Sequence, residues 1–315
     1  MSTTTVAPEV RAPDRPGPAR TGTTDRARSE RRLGWLLAGP AFFAMLAVTA
    51  YPILQAVYDS LFDYRLTAPD ERNFVALGNY ATILTDRLFW TAAGVTTLIT
   101  VVTVAAELVL GFALAMVMHR AVFARRTLRT SILIPYGIIT VVSAFAWRYA
   151  FANESGFINV WFNLGDFDWF GKFWSSLVVI SLSEIWKTTP FMALLLLAGL
   201  AQVSEDLQEA AKVDGATFWQ RIFRVTLPNM KSAIMVAVLF RTLDAFRVFD
   251  NVFIMTAGAQ GTETLSFLAY RQTISRTMIG LGSAVSVILA LMVVLIAFVF
   301  IKGFKTDLGQ VRSDR

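Results

Sequence analysis

The chain has no cysteine among its 315 residues. That excludes disulfides and thiolate metal sites, although it does not by itself fix a compartment. It has one histidine, His119, so no histidine cluster can hold a metal or relay protons. Charge is sparse as well, at 17 % of residues, where soluble domains carry about 25 %. No G-x-x-x-x-G-K-[ST] loop occurs to cradle a nucleotide's phosphates, and no nucleophile elbow or metal-ligand spacing points to an enzyme. A T-V-G-Y-G selectivity filter is missing too.

What fills the chain is apolar. Hydrophobic residues make up 55 % of it, with 25 Phe and 8 Trp. About 20 apolar residues cross a bilayer's hydrocarbon core as a helix. Six runs are long enough: 33–61, 89–118, 131–151, 176–200, 232–256 and 281–301. The expectation is an all-α polytopic membrane protein in a lipid bilayer. Residues 1–32, rich in Thr, Ala, Pro and Arg, read as a disordered tail, and 302–315 as a second one. The first apolar run is too long for a secretory leader and reads as an uncleaved span.

The net charge of +6 could suggest nucleic acid, but its distribution argues for topology instead. Segments 1–32, 119–130, 201–231 and 302–315 hold 19 of the 29 Lys and Arg, whereas 62–88, 152–175 and 257–280 hold six. This positive-inside pattern places both termini and segment 201–231 in the cytoplasm, in a cytoplasmic membrane. His119 then ends the second span on that side, where a cation meets a helix C-terminus favourably. The aromatic residues Phe167, Trp169, Phe170, Phe173 and Trp174 of the opposite side suit an interfacial belt or a partner surface.

One polar stretch interrupts the oil between the fourth and fifth spans, EAAKVDGATFWQRIFRVTLP at 209–228. Ser204 is a suitable N-cap for a short helix, with Glu205 and Asp206 in its first turn. Asp214-Gly215 offers a stop, and Thr217 with Gln220 forms a capping box for a second helix. Its apolar residues alternate with Arg221 and Arg224, and Pro228 ends it or begins the next span. From physics alone this is a helical elbow or an ordinary loop.

Four cations, Arg148, Lys187, Arg241 and Arg247, fall within or beside spans. Charge at bilayer depth is costly and faces a bundle interior or wet cavity. The fifth span spaces Arg241, Asp244, Arg247 and Asp250 three apart, and at helical pitch Arg241, Asp244, Val248 and Asn251 share a face. The fourth gathers Glu184, Lys187, Thr188 and Phe191 within about a turn. One reading is structural, with Arg241 paired to Asp244 and Arg247 to Asp250. The other is a polar, aromatic-lined solute path, whose residues would be Asp244, Arg241, Asn251, Lys187, Thr188, Phe191, Arg247 and Val248. Glu107, mid-span in the second run, reads as a helix-pairing residue. Interleaved acids and bases argue against a voltage sensor, which needs repeated cations.

The polar stretch resembles the coupling loop of ABC-importer permeases, which read E-A-A, two residues, D-G-A, and close near L-P. Glu209, Ala210, Ala211, Asp214, Gly215, Ala216, Leu227 and Pro228 match. The flanking segments 129–151, 185–200, 240–256 and 262–270 extend the resemblance to the carbohydrate-uptake, maltose/trehalose-type branch, over nearly everything from 33 to 302. Three departures stand out: Val203-Ser204 precedes the loop without proline, TAGAQG follows the fifth span, and 138–140 lacks a proline. The resemblance implies a six-helix type I importer permease for a disaccharide, trehalose above others, or else for another oligosaccharide or a polyol or glycerol-phosphate solute. It implies that Glu209, Ala210, Ala211, Asp214, Gly215 and Arg221, within the coupling loop 204–228, engage a cytoplasmic ATPase. The implied partners are a second homologous permease, an ATP-binding subunit dimer carrying ATP and Mg, and an external solute-binding (lipo)protein. This chain would hold no cofactor and hydrolyse nothing.

Overall fold

The computed structural model describes residues 25–120 and 125–303. Two compact units are distinguished, 1–54 and 55–315. Of the tails read at 1–32 and 302–315, residues 1–24 and 304–315 lie outside the described residues. Helix is not confined to residues after 32, however, because α1 (Asp25–Asp59) already begins at Asp25.

In the larger unit α1 ends in a hydrogen-bonded turn, and a short hairpin follows, β1 (Phe62–Arg65) and β2 (Ala68–Phe74). Asn79 in α2 (Gly78–Thr85) donates to the carbonyls of Ser60 and Phe62 and so ties the hairpin down. This hairpin was not foreseen in an all-α chain. Next come α3 (Arg87–Arg120), α4 (Arg125–Gly137), α5 (Thr140–Ala150), the short α6 (Phe157–Trp161) and α7 (Phe173–Leu200). The polar stretch forms α8 (Glu205–Val213), α9 (Phe218–Arg221), a π-helical turn over Ile222–Thr226 and α10 (Leu227–Asn229). The chain then builds α11 (Lys231–Ala245), α12 (Asp250–Met255), α13 (Leu265–Tyr270) and α14 (Ile279–Gly303).

α3 and α7 form the spine. Gly111 lets them approach: a Cβ there would lie 2.8 Å from Met192 Cγ. Around that contact Met118, Met192, Leu196 and Met230 are fully buried. By contrast Leu291, Val294, Leu295, Phe298 and Val299 of α14 are exposed, a surface suited to lipid rather than water.

Four described helices are long and apolar enough to cross a membrane, and the bent pair of α4 and α5 makes a fifth if it is counted as one span. Two of the six runs are therefore broken. In the third, α4 and α5 meet at 84°. In the fifth, helix stops at Ala245 and restarts at Asp250. Irregular backbone at membrane depth survives only where protein or a wet cavity satisfies it. Here Thr264 Oγ1 donates to the Val248 carbonyl (3.1 Å), and Arg148 Nη1 to that of Ile254 (2.6 Å). The continuous helical face expected for Arg241, Asp244, Val248 and Asn251 does not exist, because the break intervenes.

A broken-helix cavity and a capped elbow

The two breaks face each other across a cavity of about 560 Å3. Tyr136, Ile138, Ile139 and Thr140 line it from the third span. Glu184, Lys187 and Thr188 come from α7; Arg241, Asp244 and Ala245 from α11; and Arg247, Val248, Phe249 and Asp250 from the second break.

Arg241 organises the floor. Its guanidinium donates through Nε and Nη2 to the two oxygens of Glu107, the latter at 3.0 Å. Nη2 also reaches Glu184 Oε2 (3.2 Å), and Nη1 reaches Asp244 Oδ2 (2.7 Å). A planar fork with five donors can serve three carboxylates at once, which an ammonium cannot. Asn251 Nδ2 donates to the other Glu184 oxygen (2.7 Å), and the Thr188 hydroxyl lies 2.7 Å from Glu107 Oε1. α3, α7, α11 and α12 are thus tied by one polar network.

Exposure separates its members. The Arg241 side chain is 1 % exposed and that of Glu107 0 %, whereas Asp244 is 64 % exposed. Asp244 therefore stands open to the cavity, whereas the Arg241 guanidinium is covered by its carboxylates. Of the residues read as a solute path, Asp244, Arg241, Lys187, Thr188, Arg247 and Val248 line the cavity. Asn251 sits behind it against Glu184, and Phe191 stacks behind Tyr136 (centroids 5.2 Å apart, planes at 12°). The Arg241–Asp244 pair forms, as the structural reading had it. Among the described residues Arg247 and Asp250 form no ion pair, since the break separates them. Glu107 pairs across helices, to Arg241. Tyr136 and the role of Glu184 as shared acceptor were missed. The only local sign of Tyr136 was its place between Pro135 and Gly137.

At one end of α7 the polar stretch folds as a capped elbow. Ser204 Oγ accepts from the Asp206 amide (3.2 Å). Gly215, at φ +77°, takes the left-handed conformation that turns the chain between α8 and α9. Thr217 and Gln220 complete the capping box in both directions. Gln208 Nε2 donates to Thr226 Oγ1 (2.8 Å), which holds α8 against the π turn. Glu209, Ala210, Asp214 and Gly215 are exposed, Ala211 and Arg221 half-buried. Leu207, Val213, Trp219 and Phe223 also stand in the open. Below the elbow, His119, Arg120, Glu205, Glu209, Lys212 and Arg221 share a second cavity of about 340 Å3.

Residues 107–303 match the family of binding-protein-dependent transport system inner membrane components. The chain belongs to that family. The permease is 50 % identical over 283 residues to the trehalose transport system permease protein SugA of Mycobacterium tuberculosis, covering 89 % of this chain and 91 % of that one. It is 34 % identical over 291 residues to the trehalose/maltose transport system permease protein MalF of Thermococcus litoralis, covering 90 % and 96 %. In fold it is similar to a chain of a bacterial alginate ABC transporter crystallised with a pentasaccharide-bound periplasmic protein. That likeness has a TM-score of 0.77 at 18 % identity and covers 92 % and 99 % of the two chains. The permease is a transport component of an ABC importer and not an enzyme.

Proposed function

We propose that the permease carries trehalose through the cavity between the two helix breaks, driven by a separate ATPase that grips the elbow. The half-identity to a trehalose permease over nearly the whole chain carries the choice of sugar. The cavity is compatible with it, since ligand sites of roughly 300–1,000 Å3 suit small molecules. Asp244 offers a carboxylate oxygen to vicinal hydroxyls, and Tyr136 offers an aromatic face.

The elbow's connectivity supports the coupling. It is continuous with α7, which carries Glu184 and Lys187, and through α10 with α11, which carries Arg241 and Asp244. At 1.5 Å per residue, Thr188 lies ~18 Å from the end of α7, and Arg241 lies ~15 Å from the start of α11. Both distances are about half of a ~30 Å hydrocarbon core, the depth at which alternating-access carriers hold solute. Displacing the elbow moves two walls of the cavity together, because Arg241 ties α11 to Glu184 of α7.

In this reading the elbow faces the cytoplasm and the hairpin end faces outward. A solute-binding protein delivers sugar at the hairpin end, and a second permease completes the path. A dimer of ATP-binding subunits, carrying ATP and Mg, closes on the elbow. Exposed Glu209 supplies register at that contact, as interface charges do. Radiolabelled sugar uptake tests the reading in a strain lacking this chain and complemented with it, across a panel of disaccharides. ATP-dependent uptake of trehalose alone among them is the expected result; uptake of a different sugar overturns the assignment.

A further inference from the structure

The nearest proline to the bend in the third span, Pro135, lies inside α4 and frees no carbonyl at the break itself, and none follows it as far as Ala150. Yet α4 and α5 meet at 84°. The break takes the Tyr136 and Ile138 carbonyls out of the helical ladder, whereas that of Pro135 keeps the Ile138 amide, and inside a membrane the two freed carbonyls need a donor. That donor comes from α7. Lys187 Nζ bonds the Ile138 carbonyl and lies 3.4 Å from that of Tyr136. Lys187 is 8 % exposed and has no carboxylate partner among the described residues. An ammonium buried in this way is costly unless its protons are used, and here two carbonyls use them.

The same break sets Tyr136. Its ring stacks on Phe191, is 45 % exposed at the cavity wall, and has the Lys187 ammonium 5.9 Å from its centroid. We propose that Lys187 is a positioning residue for transport. It fixes the break in the third span and thereby holds Tyr136 as the aromatic platform on which the sugar's apolar face packs. Lys187 acts through Tyr136, not through contact with the solute. The solute's identity rests on the sugar reading above; the pinning of the break does not.

Two measurements on the complete importer separate these. The first is initial-rate uptake of radiolabelled trehalose at matched abundance, comparing Lys187→Met, Lys187→Arg, Tyr136→Ala and the double variant Lys187→Met/Tyr136→Ala. Lys187→Met and Tyr136→Ala should each raise KM about tenfold, the equivalent of one lost aromatic contact, with Vmax within about twofold of the parent. The double variant should be no worse than either single, and Lys187→Arg should recover most of the affinity. Multiplying effects, or a fall in Vmax at unchanged KM, would overturn the proposal. The second uses spin labels on Ser131→Cys and Tyr149→Cys, the only thiols this subunit would then carry. The distance across the bend should lengthen in Lys187→Met and stay unchanged in Tyr136→Ala. An unchanged distance in Lys187→Met overturns the pinning role whatever the solute, whereas failure of the unaltered importer to take up trehalose overturns only the sugar reading.

Discussion

Replacing Arg241 by methionine removes a cation from among three carboxylates. Glu107 suffers most: it is fully buried and loses both guanidinium bonds, keeping only the Thr188 hydroxyl. Glu184 keeps Asn251, and Asp244 faces the cavity, so neither is left wholly uncompensated. Removing one partner of a buried ion pair costs about 3–5 kcal/mol, chiefly through the charge left behind. The exposed Asp244 arm adds little. A 150–250-residue domain loses about 2–4 °C of Tm per kcal/mol, so thermal unfolding of the solubilised importer should drop on the order of 10 °C. Glu107→Gln in the Arg241→Met background removes the stranded charge and should restore more than half of that drop. Arg241→Lys should fall between, because an ammonium cannot serve three carboxylates in the same plane. A Tm for Arg241→Met within about 2 °C of the parent would mean that the guanidinium does not hold the buried carboxylates. So would a double variant less stable than Arg241→Met alone.

Four further substitutions probe the cavity, the elbow and the loop between α12 and α13. Asp244→Ala should cut sugar uptake about tenfold or more with the importer still assembled, because Arg241 keeps Glu107 and Glu184; normal uptake would place the solute elsewhere. Gly215→Pro cannot reach φ +77°, since proline fixes φ near −65°. It should abolish uptake while the subunit stays in the membrane and the partner's ATP hydrolysis no longer responds to sugar, and Glu209→Lys should do the same more weakly. Glu263, between α12 and α13, is held above the ordinary carboxylate range by burial and, to a smaller extent, by Asp86, which together outweigh the pull of Arg271 and Arg276. Between the ordinary value of about 4.3 and that raised value, the folded state holds a proton the unfolded state has lost. Stability should therefore fall as pH rises through that window, and Glu263→Gln should flatten the slope in a Tm-versus-pH series.

The elbow was legible residue by residue because its signals are local. Ser204, Gly215 and the Thr217–Gln220 box each act within a few positions of themselves, and each does what its type and spacing imply. The positions of the six apolar runs were legible for a similar reason. Their breaks were not: hydropathy is the same for a straight helix and a bent one, and what stabilises the bends comes from elsewhere in the chain. Lys187 is 49 residues from Ile138 and Thr264 is 16 from Val248. The helical wheel failed at Asn251 because it assumed continuity past Ala245, although Asn251 still arrives at the network through Glu184. Glu107 could be read as a pairing residue from its burial in an apolar run, but its partner, 134 positions away, could not. The charged residues of the fourth and fifth spans left a structural reading and a solute path both open, and the sugar and the coupling role came from resemblance, since neither a carboxylate in a cavity nor an exposed elbow names what it meets.

This subunit should move trehalose only when a partner ATPase pushes on the elbow. Proteoliposomes containing the assembled importer and its binding protein, with ATP supplied on the elbow side, give the most direct measurement. Trehalose should accumulate with ATP, stop when ATP is replaced by a non-hydrolysable analogue, and fail in the Gly215→Pro assembly. Accumulation without ATP, or undiminished accumulation by the Gly215→Pro assembly, would contradict the account.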